Sequence, residues 1–498
     1  MIGAIVTAVY VGLSAVLVTH TLFHAQLFFA ARRGRTRPGP EPGLPQWPRV
    51  TVQLPIYNER YVVRRLLDHV IELDYPRDRL EIQILDDSTD DTTAQIAAWA
   101  SAHQGLGVAI HHVRRSQRTG YKAGALQHGL ATATGELVMV LDADFMPHPS
   151  LLRDLVPHFA DPSVAVAQAR WSHANRAQSW LTRLQGSFID FHFSIEQVGR
   201  NQLNCFVNFN GTAGMWRVAA IRDAGGWRAD TLTEDLDLSY RAQLRGWRFV
   251  VCHNVTAPAE LPADIRAFRG QQHRWMKGVA QNARLLLPAV WRAPLPLRIK
   301  AHAAVQLLET TLFGVLLALL VLSPIAAVAV AHHRCSAWTM ANPLLLVSVA
   351  LSPVYFIHRT STDAGSVLRR FCDWQLMLAV STGLALHNTI AVISGLRGES
   401  GEFVRTPKAG DGPAIAAGAY RVRGRQRVVL AEVFLWGYLV AGLIYGVATG
   451  HGYLMWFPAL AVIGLTAMAV AALLSTARTG WSRELGDAPT TTTVEEVS

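Results

Sequence analysis

Cysteine is scarce in this chain, and closely spaced pairs of cysteines are absent. Of 498 residues only four are cysteines. They are Cys205, Cys252, Cys335 and Cys372, and no two of them form a CxxC pair. Disulfide frameworks and cysteine-based zinc sites need paired or closely spaced cysteines. The sequence therefore supports neither class of site, and we expect reduced thiols in the core or in the membrane.

Charged side chains are also few. They make up 16% of the chain, against 50% for hydrophobic residues, a balance typical of membrane proteins rather than soluble ones. The formal charge of +10 is concentrated in arginines that flank apolar runs. Arg32, Arg33, Arg35 and Arg37 follow the first run, and Arg421, Arg423, Arg425 and Arg427 precede a later one. This placement indicates contact with anionic lipid headgroups and argues against a nucleic-acid partner.

Apolar runs of membrane-spanning length lie towards both ends of the chain. Residues 1–31 form the first run. Because its basic residues follow the run instead of preceding it, we predict an uncleaved transmembrane helix with its N-terminus outside. A basic, proline-rich linker at 32–48 leads into a more polar region. Within 301–475, further runs near the length that a bilayer requires lie at about 303–331, 340–358, 428–448 and 452–475.

One apolar stretch, residues 366–396, allows two topologies. It contains Arg369, Arg370 and Asp373, and a spanning helix there would place the basic loop 397–427 outside the cell. An interfacial or re-entrant helix keeps every strongly basic loop in the cytoplasm, and we favour that arrangement. The tail at 476–498 is then cytoplasmic, and the sequence predicts an integral protein of the plasma (inner) membrane.

The region 49–265 has the alternating pattern of an α/β domain, which we expect in the cytoplasm. Short apolar runs at 50–54, 81–85 and 137–141 are candidate buried strands, and helical segments separate them. This alternation favours an open, mainly parallel, Rossmann-like sheet, in which ligands bind at the carboxyl ends of the strands. Residues 266–300 mix basic and apolar side chains and predict amphipathic helices at the membrane interface.

Acidic residues follow two of these runs. Asp86-Asp87 ends the second run, and Asp142-Ala143-Asp144 ends the third. Clusters of Asp, Ser and Thr are also typical of helix N-termini. Two acidic strand ends in one α/β domain nevertheless favour a nucleotide site. There the carboxylates of Asp142 and Asp144 can reach one hard cation that also touches a diphosphate.

Other polar residues complete a candidate site for group transfer. Tyr57, which follows the first run, offers a ring to a nucleotide base. Asp235, in the sequence Thr233-Glu234-Asp235, can take a proton from a hydroxyl, although such a triplet also starts helices. Arg274 and Trp275 can serve a phosphate and a sugar ring, and the same pair is common at membrane interfaces. Lys122 is either a phosphate ligand or a solvated lysine.

In this order, the motifs resemble glycosyltransferase family 2, in particular its processive membrane branch of cellulose, chitin and hyaluronan synthases. The similarity is closer to the plant cellulose synthase-like A and C proteins, which make mannan, glucomannan or glucan backbones. It is carried by Gln168-Ala169-Arg170-Trp171, Phe191-His192-Phe193, Phe209-Asn210-Gly211-Thr212-Ala213-Gly214 and Gln271-Gln272-His273-Arg274-Trp275. Residues 403–408 resemble the gating loop of cellulose synthases, with Arg405 in place of a valine. The resemblance implies a GT-A-like domain attached to an α-helical transmembrane region.

The resemblance also implies a role for each site residue. Asp86 or Asp87, together with Asp142, would contact the nucleotide sugar. Asp142 and Asp144 would hold Mg²⁺ or Mn²⁺, and Asp235 would be the general base. The other substrate-binding residues would be Pro55, Tyr57, Glu59, Lys122, Phe209, Asn210, Gly211, Thr212, Glu234, Gln271, Arg274, Trp275, Thr406 and Lys408.

The implied reaction is an inverting transfer from GDP-mannose or UDP-glucose that polymerises a β-linked mannan, glucomannan or glucan. We expect β-1,4 linkages and export of the glycan through the transmembrane region. No cyclic-dinucleotide domain is visible in the C-terminal sequence, so regulation of that kind is not expected. One alternative is a non-processive transfer of a single sugar to a lipid. The other is a transporter or nucleotide-binding membrane protein without catalysis. The sequence does not indicate whether the protein has accessory subunits.

Overall fold

The computed structural model describes residues 2–33, 46–336, 367–399, 401 and 425–486. In the last of these ranges, side chains are described from 427 to 474. The predicted span 340–358 and the two gating-loop residues, Thr406 and Lys408, lie outside the described residues.

A mixed seven-stranded sheet forms the centre of the region after the first helix. Its strands are β1 Val50–Ile56, β2 Leu80–Asp86, β3 Ala109–Arg114, β4 Leu137–Val140, β5 Val164–His173, β6 Gly214–Arg217 and β7 Arg248–Ala259. The order across the sheet is β3-β2-β1-β4-β6-β5-β7. All pairs are parallel except the two that β6 makes, which are antiparallel. The predicted α/β fold with a mainly parallel sheet is confirmed, and its three predicted strands are β1, β2 and β4.

Helices cover both faces of this sheet. They are α2 Val63–Ile71, α3 Thr92–Ala102, α4 Tyr121–Thr132, α5 Leu151–Leu155, α6 Trp180–Phe191, α7 Val198–Gln202, α8 Val218–Asp223 and α9 Glu234–Leu244, with a π-helical segment His192–Gln197 between α6 and α7. Strand β4 shows why both faces are covered. Met139 packs into one apolar cluster, while its neighbours Val138 and Val140 pack into another. Because successive side chains of a strand point to opposite faces, a continuous apolar run needs a core on each side.

Further helices, most of them apolar, precede and follow the α/β domain. They are α1 Ile2–Arg33, α10 Ile265–Arg292, α11 Leu297–Leu308, α12 Leu312–Ala331, α13 Val367–Gly383, α14 Ala385–Leu396, α15 Arg425–Ala448 and α16 Trp456–Gly486. Four described segments are long and apolar enough to cross a membrane: Gly3–Arg33, Leu297–Ala331, Arg427–Ala448 and Gly452–Leu474. They overlap the spans predicted at 1–31, 303–331, 428–448 and 452–475. Large apolar side chains on these helices are exposed, with Phe434 77% exposed and Leu473 71%, as lipid-facing residues would be.

Two of the predicted segments are interrupted in the structure. A 3₁₀ turn, Glu309–Thr311, separates α11 from α12. There the Thr311 hydroxyl donates to the Leu308 carbonyl at 2.6 Å and so competes with the helical hydrogen bonds. Helices α13 and α14 meet at a bend of 54°, a geometry that fits a broken span or a re-entrant loop. Our preference for an interfacial or re-entrant helix at 366–396 therefore stays a prediction.

Helix α10 connects the sheet domain to the apolar helices. Its first turn is capped by Asp264, whose carboxylate accepts hydrogen bonds from the backbone N–H groups of Arg266 and Ala267. Arg269 pairs with Glu432 of α15 at 2.5 Å. Further along, Gly278 lets the helix approach the sheet domain, because a Cβ atom there would lie 2.6 Å from Cγ2 of Thr233. Thr233 directly precedes α9, so α10 is fixed against the segment that carries Asp235.

Candidate active site

A cavity of about 210 Å³ lies at the carboxyl ends of β1 and β4. Fourteen of the residues predicted from the sequence line it: Pro55, Tyr57, Glu59, Asp87, Lys122, Asp142, Asp144, Asn210, Gly211, Glu234, Asp235, Gln271, Arg274 and Trp275. Three others do not: Asp86, Phe209 and Thr212. The parallel strands bring together residues from four widely separated motifs, as ligand sites of open α/β sheets do.

The two adjacent aspartates at the end of β2 have different surroundings. Asp86 is 1% exposed and accepts hydrogen bonds from the Ser88 backbone at 2.8 Å and from His112 at 2.9 Å. Burial alone would raise its pKa, but these hydrogen bonds outweigh burial and lower the pKa to about 2. Asp87 lines the cavity and is paired in a bidentate manner with Arg115. Of the two residues, Asp87 is therefore the one that can meet a ligand.

Tyr57 forms the base of a stacked arrangement at one end of the cavity. The guanidinium carbon of Arg118 lies 3.4 Å from the centroid of the Tyr57 ring and 4.9 Å from that of Tyr121. Burial lowers the pKa of Arg118, although the group stays a cation at neutral pH. A flat cation stacked on an aromatic ring is suited to contact a nucleotide base or its phosphates.

Lys122 lies at the centre of the cavity wall. Its Nζ is 2.5 Å from Oδ1 of Asp142 and donates to the Gly211 carbonyl at 2.9 Å. Burial alone would lower the pKa of Lys122, but the neighbouring carboxylates, first that of Asp142, outweigh burial and raise it. Lys122 is thus a fixed, largely buried cation, 15% exposed, and not a solvated surface lysine. A fixed cation can offset negative charge that develops on a leaving diphosphate.

The residues present suit a hard divalent cation. Asp142 and Asp144 both line the cavity, and their oxygens are the donors that Mg²⁺ and Mn²⁺ prefer. The Asp144 carboxylate also accepts from the Glu260 backbone at 3.2 Å, which fixes its position. Acidic side chains outnumber cationic ones along this wall. A diphosphate would be repelled by that excess unless a cation entered with it, so the charge balance also favours a metal.

Asp235 occupies the N-terminal turn of α9 and is partly buried in the cavity wall. Its Oδ1 accepts from the Leu236 backbone at 2.8 Å. Burial and the neighbouring Glu234 carboxylate raise the pKa of Asp235 to about 7, against the opposing effects of Lys122 and Arg274. A carboxyl group with a pKa near the working pH can accept and release a proton efficiently, which is the property that a general base needs.

The loop that follows Phe209 closes the cavity beside Asp235. Gly211 has a φ of 79°, and a Cβ atom there would lie 3.0 Å from Oδ2 of Asp235. Both the positive φ and this close approach favour glycine. Asn210 and Gly211 line the cavity, whereas Phe209 packs in the apolar core with Trp216. Phe209 and Thr212, which were predicted to bind substrate, therefore do not line this cavity in the structure.

The motifs that carried the sequence resemblance support this loop. The amide of Gln168 donates to the carbonyls of Thr212 and Ala213, and its oxygen accepts from the Asn210 backbone. The Thr212 hydroxyl accepts from the Asp142 backbone at 2.9 Å. His192 accepts from the side-chain amide of Asn210 at 2.9 Å. Several motifs that are distant in sequence therefore hold one loop against the predicted metal ligands.

Helix α10 contributes the remaining predicted residues. Gln271, Arg274 and Trp275 lie within two turns and all line the cavity. The Arg274 charge lowers the pKa of Asp235, so this cation acts on the acid at the cavity centre. The Trp275 ring adds an apolar surface on which a sugar can stack.

The cavity residues that were not predicted from the sequence include Arg118, Trp171, His173 and Glu260. Trp171 packs edge to face on Phe145 and belongs to a motif that the sequence had already singled out. Glu260 is paired with Arg65 at 2.5 Å. Arg118 had no local signal, because it reaches its partner Tyr57 only through the fold.

Comparison with known proteins identifies the family. Residues 48–278 match the profile of a family described as glycosyltransferase like family 2. The chain is 43% identical over 261 residues to glucomannan 4-β-mannosyltransferase 2 of Arabidopsis thaliana, a match that covers 51% of this chain and 48% of that one. For this relative and others like it, the chain spans about half the relative's length. A longer match, to probable glucomannan 4-β-mannosyltransferase 9 of Oryza sativa subsp. japonica, is 33% identical over 426 residues and covers 82% of this chain and 78% of that one.

A solved structure shows the same fold. It is a mannosyltransferase from Pyrobaculum calidifontis in complex with GDP-Man and Mn²⁺, with a TM-score of 0.54 and 22% sequence identity. The similarity covers 79% of this chain and all of that one. The comparisons confirm the GT-A-like fold and the family resemblance that the motifs indicated. They also confirm the predicted enzyme class, because these relatives are hexosyltransferases. The chain belongs to glycosyltransferase family 2, in the group that includes the glucomannan 4-β-mannosyltransferases.

Proposed function

We propose that this protein is a membrane-bound hexosyltransferase that builds a β-1,4-linked mannan or glucomannan from GDP-mannose. The names of the relatives favour a mannosyl donor over the UDP-glucose that the sequence left open. The observation that carries the proposal is the position of Asp235. It is a partly buried acid with a pKa of about 7, and it lines the same cavity as the Lys122–Asp142 ion pair.

Asp235 acts as the general base in this proposal. Its carboxylate takes the proton from the terminal hydroxyl of the acceptor as that oxygen attacks the anomeric carbon of the donor. A new carbon–oxygen bond forms, and the bond from the same carbon to the diphosphate breaks. Because this is a single displacement, the configuration at the anomeric carbon inverts. Trp275, whose ring lines the cavity, holds the sugar at the acceptor end.

The negative charge of the leaving diphosphate is offset by fixed cations. Lys122 and Arg274 line the cavity together with Asp142 and Asp144. Cations that are already in place need no reorganisation during the reaction and act strongly in a site that excludes water. A divalent cation held by Asp142 and Asp144, Mg²⁺ or Mn²⁺, would supply further neutralisation of the diphosphate charge.

We also propose that the domain lies at the cytoplasmic face of the plasma (inner) membrane and that the apolar helices export the glycan. What supports this is the direct attachment of the cavity to those helices. Helix α10 carries Arg274 and Trp275 and is paired through Arg269 to Glu432 of α15. Arg183 of α6 is also paired, at 3.1 Å, with Asp373 of α13. In this proposal the glycan leaves the cavity past Trp275 and enters the region of these helices.

The test uses the full chain in detergent or nanodiscs with Mn²⁺ or Mg²⁺ and radiolabelled GDP-mannose or UDP-glucose. We expect ethanol-insoluble polymer from GDP-mannose that mannanase digests and cellulase does not. Asp235→Asn should abolish incorporation. Asp230→Asn should keep it, because Asp230 is an exposed acid outside the cavity.

Each other outcome of this test would contradict a different part of the proposal. Label found only in the lipid extract would show transfer of one sugar to a lipid. Polymer from UDP-glucose alone would show a glucan synthase. An Asp235→Asn variant with normal incorporation would refute the assignment of the general base.

A further inference from the structure

Two histidines and a glutamate meet where the N-terminal helix packs against the catalytic domain. His20 and His24 lie one turn apart on α1, and Glu309 lies in the turn between α11 and α12. One potential metal-ligating atom from each of these residues lies within 4.8 Å of those of the other two. Within the part of the chain that the structure describes, this is the one group of three or more such side chains. None of the three lines the active-site cavity.

We propose that His20, His24 and Glu309 bind a first-row transition-metal ion of the zinc type, at a site that shares no residue with the one at Asp142 and Asp144. Histidines four residues apart on one helix face are a known arrangement for binding zinc. Two imidazoles and one carboxylate suit Zn²⁺ or its neighbours in the first transition row. Mg²⁺ and Ca²⁺ prefer ligand sets made only of oxygen.

The distances are compatible with a four-coordinate ion. Ligand atoms about 2.1 Å from a tetrahedral metal lie about 3.4 Å from one another. The three atoms would therefore need to close by little more than 1 Å, which rotation of the side chains can supply. Three protein ligands leave a fourth position for water.

One ring nitrogen of this cluster is available to a ligand. The Nε2 of His20 is buried and has no hydrogen-bond partner. A buried polar atom left without a partner is destabilising by roughly 1–3 kcal/mol, and a metal ion would provide the missing partner. The ring of His20 packs edge to face on His24, with the centroids 4.2 Å apart, so the two imidazoles are already close together.

Glu196 holds His24 in a suitable orientation. Its Oε1 lies 2.7 Å from Nε2 of His24, and its Oε2 lies 2.7 Å from Nδ1 of His192. When His24 donates from Nε2 to this carboxylate, its Nδ1 carries the lone pair that a metal requires. Metal-bound histidines commonly donate their other ring nitrogen to a carboxylate in this way. Glu196 is 7% exposed, so this support is itself fixed.

The charges around the cluster leave an excess for a cation to balance. Arg200 lies 3.6 Å from Glu196 and 3.9 Å from Glu309. One guanidinium thus faces two carboxylates, and with neutral imidazoles the group carries one net negative charge. A cation bound by Glu309 would balance this charge. Arg200 would still be paired with Glu196.

Close helix packing keeps the ligands in register. Gly199 of α7 lies against α1, and a Cβ atom at Gly199 would lie 2.4 Å from the Leu27 carbonyl. A metal bound by His20, His24 and Glu309 would therefore connect α1 to the start of α12. Through Glu196 and His192 it would also reach Asn210, which lines the active site. The consequence is a structural link between the N-terminal helix and the acceptor-side loop.

The test measures zinc binding to the full, tag-free chain in detergent. The protein is stripped with a chelator and equilibrated with Zn²⁺, its metal content is determined by mass spectrometry, and its affinity by competition with a chromophoric chelator. We expect one tightly bound zinc per chain. His20→Gln and Glu309→Gln should each weaken binding by at least about 10- to 100-fold, since loss of even an outer-sphere partner has effects of that size. Co²⁺ should give the visible absorption bands of a four-coordinate nitrogen and oxygen site in the wild type and not in these two variants.

His302→Gln is the matched control. His302 is a buried histidine on α11 that packs edge to face on Phe23 and is not one of the three ligands. This variant should bind zinc as the wild type does. Zinc should raise the unfolding temperature of the wild type and of His302→Gln, but not of the two ligand variants.

Folding defects can be separated from loss of the site. All variants are compared in the presence of chelator by gel filtration and thermal unfolding. If His20→Gln does not fold, the test rests on Glu309→Gln, which keeps the size of the side chain. Equal zinc binding by the wild type and by Glu309→Gln would overturn the proposal, as would a wild type that binds no zinc above the level of bulk surface sites. Sugar transfer is not the readout, so these outcomes do not depend on the proposed function.

Discussion

Replacing Asp235 with asparagine should stabilise the protein while it removes catalysis. The pKa of Asp235 is raised from 3.8 to about 7 by burial and by the neighbouring Glu234 carboxylate. The folded protein therefore resists ionisation of this side chain, and the unfolded chain does not. Asparagine has nearly the same shape as the protonated acid and carries no charge at any pH, so it avoids that conflict.

The size and sign of the effect follow from proton linkage. With the folded pKa above the unfolded one, stability from the bound proton is fully present below pH 3.8 and is lost as the pH rises through about 7. A difference of about three pKa units corresponds to roughly 4 kcal/mol in the free energy of unfolding. The advantage of Asp235→Asn over the wild type should therefore grow by about 3 kcal/mol between pH 5 and pH 8.

Thermal unfolding of the metal-free protein in detergent measures this difference. For a domain of about 200 residues, 3 kcal/mol corresponds to a shift of roughly 6–12 °C in the unfolding temperature. The wild type and Asp235→Asn are compared at several pH values between 5 and 8, in a buffer of constant ionic strength. The gap between the two midpoints should widen up to about pH 7 and then become constant.

Asp237→Asn is the control with the opposite sign. Asp237 is buried two residues further along α9 and is paired with Arg241, with contacts of 2.6 and 2.9 Å. The substitution removes the charged partner of Arg241, which is 11% exposed and keeps its hydrogen bonds to the carbonyls of Ala224 and Gly226. Loss of a hydrogen bond to a charged group is destabilising by roughly 1.5–3 kcal/mol. An Asp235→Asn variant that is no more stable than the wild type at pH 8 would refute the reasoning. A gap that stays constant from pH 5 to pH 8 would refute it as well.

Three further predictions concern activity. The pH profile of kcat/KM, which reports the free enzyme, should have an acid limb with its midpoint near pH 7, because Asp235 must be ionised to accept a proton; a midpoint below pH 5 would contradict this role. Gly211→Ala should reduce kcat, by up to about 100-fold, because the added Cβ crowds the Asp235 carboxylate and shifts it. Gly246→Ala, at a similar positive φ but in open space, should keep kcat, and equal losses in both variants would show that backbone strain alone is responsible. Asp144→Asn should raise the Mn²⁺ concentration needed for half-maximal activity by at least about tenfold, measured after removal of bound metal, and an unchanged requirement would exclude Asp144 as a ligand.

The elements that could be predicted from the sequence are those with a local signal. Strands β1, β2 and β4 are mainly apolar runs that end in polar residues. Such runs can be predicted without knowing which strands pair with them. The four apolar segments able to span a membrane in the described part of the chain could be predicted for the same reason, since length and hydropathy define them. The turn at Glu309–Thr311 was missed, because the flanking residues are apolar enough to hide a short interruption.

Residues whose role depends on distant partners could not be assigned in this way. Arg118 stacks on Tyr57, about sixty positions earlier in the chain, and no spacing rule connects the two. Gln168 and His192 were noticed as parts of motifs, but their hydrogen bonds to the loop around Asn210 appear only in the folded chain. The motif resemblance therefore pointed to Gln168 and His192 but did not indicate that their side chains hold the loop around Asn210 by hydrogen bonds.

The adjacent aspartates show how strand geometry could have sharpened the prediction. Neighbouring side chains of an extended segment point in opposite directions, so Asp86 and Asp87 cannot both face one ligand. Asp86 is the last residue of β2 and lies in the buried register, with His112 and Ser88 as partners. Asp87 is the first residue beyond the strand and faces the cavity. Substitution of Asp86 should therefore affect stability first, whereas substitution of Asp87 should affect the binding of the nucleotide sugar.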